Sequence, residues 1–274
     1  MAKRPKRYYR PDNMDEALAL LSQPDTWALG GGTKLLADDL SASVVDLQDL
    51  KLDRIELKPD YLHVGAMTRL ADLERFLASP PEMLDSAPLQ GCLALLRQAI
   101  RRAGPNTYRN AATVGGSIAA RLADSELLAV FLLLNGELSL LEPEPRQLSL
   151  GTYLGAQQRP GGLITELRVE CETGDGQWDR VARTPADYPI VSVATWRPRG
   201  EVPRLAATGI DSRPIRLSDA ESKLASGLTE EAIVAAATSA RARTRHSGDF
   251  RGDNAYRAEM AATLTRRVLT SLSR

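Results

Sequence analysis

Two short runs of small residues, ALGGGTKLL at 28–36 and TVGGS at 113–117, constrain this chain more than any other feature. Each follows apolar sequence, and each lets backbone N–H groups come close to whatever faces them. Consecutive N–H groups freed of side chains are a common way to hold an anion, phosphate above all. The familiar phosphate loops do not fit. A Walker A loop needs Gly-Lys-Ser/Thr, whereas Lys34 stands between Thr33 and Leu35. A Rossmann fingerprint accepts Gly30 and Gly32 but finds Leu35 at its third glycine. Either run alone reads as readily as a turn. Taken together, about 80 residues apart, they can converge on the two phosphates of one pyrophosphate, with hydroxyls from Thr33, Thr113 and Ser117. A dinucleotide is the guest that such a pair of loops suits.

The rest of the composition narrows the chemistry. The 274 residues suffice for one large domain or two of medium size. Lys plus Arg equals Asp plus Glu at 35 each, so no bulk basic field argues for nucleic acid. The basic opening MAKRPKRYYRP lacks a signal peptide's apolar core, and no apolar run reaches the roughly 18 residues of a membrane helix. A cytoplasmic protein is expected. Cys92 and Cys171 are too few for a disulfide framework or a metal cluster, so no metal site is expected. Of the two histidines, His63 fills a strand position in YLHVGA and His246 follows the basic run RARTR. Neither has the neighbours of a catalytic triad or zinc site, so an enzyme of this sequence would rely on a bound cofactor.

Periodicity gives an α+β pattern. Asn13 is placed to cap a helix over DEALALLSQ, and Thr68 one over residues 70–77 ended by Pro80 and Pro81. Strands are expected near TWAL, SVVDLQDL, RIELK, YLHVGA, residues 137–141 and GLITELRVE. Helices are expected over 89–102 and 126–134, with 111–117 as a loop between them. The turn-rich CETGDGQ is the best boundary. Beyond it QWDRVAR and YPIVSVATWR read as a hairpin, followed by helices over 217–225, 230–241 and 255–272. The division is therefore an N-terminal unit, 1–173, with parts 1–57 and 58–173, and a smaller α+β unit, 177–274.

At these positions the chain resembles the FAD-binding medium subunit of the molybdenum hydroxylases, the group of carbon monoxide dehydrogenase and xanthine dehydrogenase. ALGGGTKLL is similar to the family's AGGTDLL loop. VVDLQDL and LHVGAMTRLADLE resemble its I-D-L and I-G-A-x-T-x-x-x-x-L-E. YRNAATVGGSIA resembles I-R-N-x-A-T-I-G-G-N-I-A, the most specific piece. WDRVARTPADYPIVSVA and GDFRGDNAYRAEMAATLTRRVL resemble the opening and the end of its C-terminal domain.

The resemblance implies a two-subdomain FAD-binding fold of the PCMH/VAO type followed by a carbon monoxide dehydrogenase flavoprotein C-terminal domain. It implies that Leu29, Gly30, Gly31, Gly32, Thr33, Lys34 and Leu35 wrap the pyrophosphate, with Thr113, Gly115, Gly116 and Ser117 against it. Glu126 falls where the family has a flavin-contacting Asp; it is otherwise a helix N-terminal Glu, and Asp124 is the alternative. Ile164 matches a position packing on the isoalloxazine, or is simply core. Arg180 replaces a Lys near the flavin, or is a surface strand residue. Lys34 and Ser117 stand where Asp and Asn are common, and Ala103 where some relatives place an aromatic ring. No histidine adjoins either glycine run, so the FAD is expected to be non-covalent.

The implied activity is that of an oxidoreductase subunit in a heterotrimer. A molybdenum-cofactor large subunit oxidises the substrate, a 2Fe-2S small subunit carries the electrons, and FAD in this chain passes them to an external acceptor. No catalytic acid or base is implied here. The alternatives are a stand-alone FAD-dependent oxidoreductase and an assembly subunit that has lost FAD.

Overall fold

The computed structural model describes residues 5–37, 42–79, 87–185 and 187–273. At the N-terminus, β1 (Tyr8–Tyr9), α1 (Met14–Leu21), β2 (Thr26–Leu29) and β3 (Ser43–Asp46) form one small unit. Asn13 caps α1 as expected, its Oδ1 accepting from the Glu16 N–H at 2.9 Å. The three strands are parallel in the order β1-β3-β2, and fully buried Val44 and Val45 make β3 the centre. Buried Asp46 accepts from the Tyr8 hydroxyl and the Gln48 N–H, so its burial leaves no lone charge without partners.

The middle of the chain supplies β4 (Ile55–Leu57), β5 (Tyr61–Gly65), α2 (Leu70–Ala78), α3 (Ala87–Arg102), α4 (Asn106–Ala111) and α5 (Val114–Ala120). It continues with α6 (Glu126–Leu133), β6 (Glu137–Glu142), β7 (Glu144–Ser149), α7 (Leu150–Gly155) and β8 (Leu163–Glu170). The five strands pair antiparallel in the order β4-β5-β8-β6-β7. Two expectations need correction. Thr68 does not cap α2: the N-cap is Arg69, with no side-chain cap bond, and the Thr68 backbone is spent on Gly65 and Val114. The expected loop at 111–117 is the end of α4 and the first turn of α5, because Thr113 caps a helix that small residues can enter. Pro80 and Pro81 lie outside the described residues.

The last third forms β9 (Gly174–Val181), β10 (Val191–Pro198), β11 (Arg204–Thr208), β12 (Ile215–Arg216), α8 (Ser218–Glu221), α9 (Glu230–Ala242) and α10 (Asn254–Leu272). The expected β9–β10 hairpin is present, and β9 starts earlier than the sequence suggests, inside CETGDGQ. In this sheet, ordered β12-β11-β10-β9, the central strands β10 and β11 are buried on both faces. Along β10 the side chains alternate. Ala194 and Trp196 enter the core shared with α3 and α6, while Val191 and Val193 enter a second core under α9 and α10. Burying a ring such as Trp196 stabilises by roughly 2–3 kcal/mol, so the two cores are joined through one strand. α6 is apolar all round after its first residue and is buried throughout, between α3 and β10–β11.

Candidate functional site

β2 delivers the first glycine run to the end of the small parallel sheet. Leu29 is buried there, and Gly32 adopts φ +71°, a backbone that L side chains rarely take. The run lies directly on the second one. A Cβ at Gly31 would sit 1.7 Å from the Ala111 carbonyl oxygen, and one at Gly30 would sit 2.7 Å from Thr113 Oγ1. Glycine is required at both positions by close approach. The turn is closed by Leu36 N–H donating to the Gly32 carbonyl at 3.0 Å. Among the described residues, the N–H groups of residues 30–35 donate no hydrogen bond to the protein.

The second run has no such spare donors. Val114 and Gly115 N–H donate to the carbonyls of Thr68 and Ala66, at 2.9 and 2.8 Å. Gly116 N–H donates to the capping Thr113 Oγ1 at 3.1 Å, and Ser117 N–H and hydroxyl both donate to the Thr113 carbonyl at 2.9 Å. A Cβ at Gly115 would meet Ala66 Cβ at 2.7 Å, so this run grips the end of β5. The structure therefore brings the two runs together and divides their work: 30–35 expose donors, and 113–117 hold the scaffold.

Beside α5 runs a narrow, open-mouthed cleft, lined in part by Ala103, Tyr108, Ser117, Leu122, Glu126 and Tyr188. Glu126, the first residue of α6, is 4% exposed at the cleft wall. Its Oε2 accepts from Arg180 Nη1 at 3.1 Å, while Oε1 is buried with no partner among the described residues. Burial pushes the Glu126 carboxyl up to about 7, and the nearby Arg180 and Arg102 guanidiniums, together with the Ser192 hydroxyl and Trp178 N–H that lie beside it, offset only part of that. Arg180 is no free surface residue: it reaches from β9 to Glu126 and to the Asp187 carbonyl.

Asp124 also lines the cleft, with its carboxylate tied to Arg251 at 3.2 Å. Lys34 leaves the first run and places its ammonium 5.7 Å from the Tyr108 ring centroid and 5.8 Å from that of Tyr188. Ala103 lends its carbonyl to the Tyr188 hydroxyl at 3.4 Å. Ile164 is buried in the main core and is not among the residues lining the cleft. Arg102, Tyr108 and Tyr188 are site residues that the sequence reading does not reach. Both tyrosines lie inside the motifs YRNAATVGGSIA and WDRVARTPADYPIVSVA or beside them, and that was the available signal.

Residues 3–169 match the family described as the FAD binding domain in molybdopterin dehydrogenase, and residues 177–272 match the CO dehydrogenase flavoprotein C-terminal domain. The Escherichia coli K12 protein YgfM is 30% identical over 264 residues, covering 94% of this chain and 93% of its own. The carbon monoxide dehydrogenase medium chain of Hydrogenophaga pseudoflava is 27% identical over 290 residues, covering 96% of each. A solved Hydrogenophaga pseudoflava carbon monoxide dehydrogenase, in a form lacking the Mo-pyranopterin moiety, superposes with a TM-score of 0.87 at 24% identity. That match covers 100% of this chain and 99% of the other, and it shows the shared fold. The chain thus belongs to the family of FAD-binding domains in molybdopterin dehydrogenases, with the CO dehydrogenase flavoprotein C-terminal domain following it.

Proposed function

We propose that this chain is the FAD-binding, electron-transferring subunit of a molybdenum-containing hydroxylase or dehydrogenase complex. The observation that carries the reading is the run of six backbone N–H groups at 30–35, without protein acceptors among the described residues, docked on α5 beside a cleft. Such a run suits a diphosphate, and Glu126, which lines the cleft, offers its carboxyl to a polar edge of a flavin ring. The residues present thus fit FAD.

In this reading Gly30, Gly31, Gly32, Thr33 and Leu35 hold the pyrophosphate, with Leu29 anchoring the loop. Thr113, Gly115, Gly116 and Ser117 hold that loop in place. Glu126, oriented by Arg180, accepts a hydrogen bond from the ring, or donates one when protonated. Lys34 places a positive charge at the cleft mouth, Ala103 leaves room there, and Ile164 supports the wall from the core. Asp124, paired with Arg251, is a second-rank ring contact. When bound, FAD supplies the redox chemistry that connects a one-electron carrier to an external acceptor. The chain itself binds, orients and shields, and none of its residues acts as a catalytic acid or base.

The medium-chain and medium-subunit names of relatives support a larger and a smaller partner; in this reading they are a molybdenum-cofactor large subunit and a 2Fe-2S small subunit. The same reading places the protein in the cytoplasm and divides it at 1–173 and 177–274; no helix among the described residues is long and apolar enough to cross a membrane.

The test is a visible spectrum and heat-released flavin assay on protein purified natively with whatever chains accompany it. About one equivalent of FAD with iron–sulfur and molybdenum subunits is the expected result. A colourless chain that refuses added FAD contradicts it, and a lone yellow chain reducible by NAD(P)H favours a stand-alone oxidoreductase.

A further inference from the structure

Cys92 and Cys171 are the chain's only cysteines, 79 residues apart in sequence, and the fold puts them in contact. Both are buried and both are free thiols. Their sulfurs lie 3.7 Å apart within the main core. Both backbones are fixed: Cys92 sits in the first half of α3, and the Cys171 N–H donates to the Asp60 carbonyl at 2.9 Å. An S–S bond spans about 2 Å, so no third group fits between the sulfurs and only a short approach separates dithiol from disulfide.

The pair is asymmetric. Cys92 Sγ donates towards the Glu170 carbonyl at 3.6 Å and towards the Cys171 sulfur. Its bond to Cys171, then burial and the charge of Glu172, hold the Cys92 thiol well above its ordinary value. Cys92 therefore keeps its proton, and Cys171, which accepts from it, is the sulfur better placed to attack. A solitary buried cysteine is inert; here the reaction partner of each sulfur is already its neighbour.

The surface is close by. A pocket lined in part by Thr173, Gly174 and Asp175 opens two residues beyond Cys171. Gly174 also touches α3: a Cβ at Gly91, the residue before Cys92, would lie 2.6 Å from its carbonyl oxygen. The pair stands apart from the cleft, because Arg102, the cleft residue that ends α3, is about 15 Å further along the helix.

We propose that Cys92 and Cys171 are an oxidisable dithiol, at which a small neutral hydroperoxide closes an internal disulfide that staples α3 to the link between β8 and β9. The Cys171 sulfur attacks one oxygen of hydrogen peroxide and breaks the O–O bond, giving a sulfenic acid and hydroxide, which takes the displaced thiol proton to become water. The Cys92 sulfur then attacks the Cys171 sulfur, forming the S–S bond and breaking the S–O bond; the hydroxyl leaves with the Cys92 proton as a second water. Two thiols lose two electrons and one peroxide gains them.

The test uses protein purified natively, reduced with dithiothreitol, desalted and exposed to hydrogen peroxide. Thiols are counted after unfolding, cross-linked peptides are mapped, and the melting temperature is followed. Mapping is needed because the five methionines also take up oxygen. The expected result is a fall from two thiols to none, a Cys92–Cys171 peptide pair, and a melting temperature raised by about 5 °C, all reversed by dithiothreitol. Cys92→Ala should instead carry oxygen on Cys171 without any cross-link. Oxidised glutathione, too bulky to reach the buried sulfurs, should leave both thiols of the folded wild type intact. The wild-type measurements stand by themselves if C92A folds poorly. Two thiols that survive peroxide in the folded chain, or thiols lost to added oxygen or to cross-links between chains, overturn the proposal. An internal cross-link that leaves the melting temperature unmoved overturns the staple.

Discussion

The two glycine runs look alike in sequence and differ in what their backbones are free to do. In 113–117 the N–H groups from Val114 to Ser117 are spent on Thr68, Ala66 and Thr113. In 30–35 no N–H group is spent on the described protein. A glycine in the second run exists so that α5 can lie against β5. A glycine in the first exists so that the loop can lie against α4 and α5 with its donors turned elsewhere. Glycine content by itself therefore says nothing about ligand binding; the hydrogen-bond ledger of the backbone does.

The severest way to break the arrangement is Gly31→Ala. Its new Cβ would meet the Ala111 carbonyl oxygen, so the two runs must separate. Overpacking against backbone of this kind costs about 3 kcal/mol or more, and FAD uptake should be lost along with a fall in melting temperature. Differential scanning calorimetry with a flavin titration checks both.

Next in size is the pH response of Glu126. Its carboxyl is raised to about 7 in the folded chain by burial, from an ordinary value of 4.5. A raised carboxyl favours the folded state when protonated. The contribution is full below about pH 4.5 and is lost as pH rises through about 7, a loss on the order of 3 kcal/mol. Unfolding free energies measured from pH 4.5 to 8 should fall in the wild type and run flatter in Glu126→Gln. Equal slopes would mean that the carboxylate is not held neutral.

Two threonines sharpen the contrast directly. Thr113→Ala removes the N-cap of α5 and should destabilise the FAD-free chain by about 1 kcal/mol. Thr33→Ala removes a hydroxyl with no partner among the described residues. It should leave the FAD-free stability within about 0.5 kcal/mol and weaken FAD binding several-fold. If Thr33→Ala destabilises the free chain as much as Thr113→Ala, the division between scaffold and donor loop fails. The smallest effect belongs to Lys34→Met. It removes one ammonium from between two tyrosine rings, at about 0.5–1 kcal/mol, readable as a small drop in melting temperature.

Much of this was legible in the sequence. Asn13 and its helix, the RIELK–YLHVGA pair and the β9–β10 hairpin follow from capping and alternation, and the structure reproduces them. The edge strand β7 was not read because Pro143 and Pro145 interrupt EPEPRQLS; an edge is where a sheet tolerates proline. Both glycine runs were named from their residues, but which one had donors to spare depends on Ala66 and Thr68, nearly 50 residues before Thr113. Glu126 and Arg180 were each singled out, yet their pairing joins residues 54 apart in sequence and no local pattern announces it. The tyrosines around Lys34 were invisible for a related reason: a lone aromatic in a motif carries no period.

The most direct test is amide hydrogen exchange on the FAD-free and FAD-loaded protein, resolved to residues 30–35 and 113–117. The account predicts that 114–117 are already protected without FAD, and that 30–35 exchange freely until FAD protects them. Free exchange of 114–117 in the empty chain, or no protection of 30–35 on loading, would contradict it.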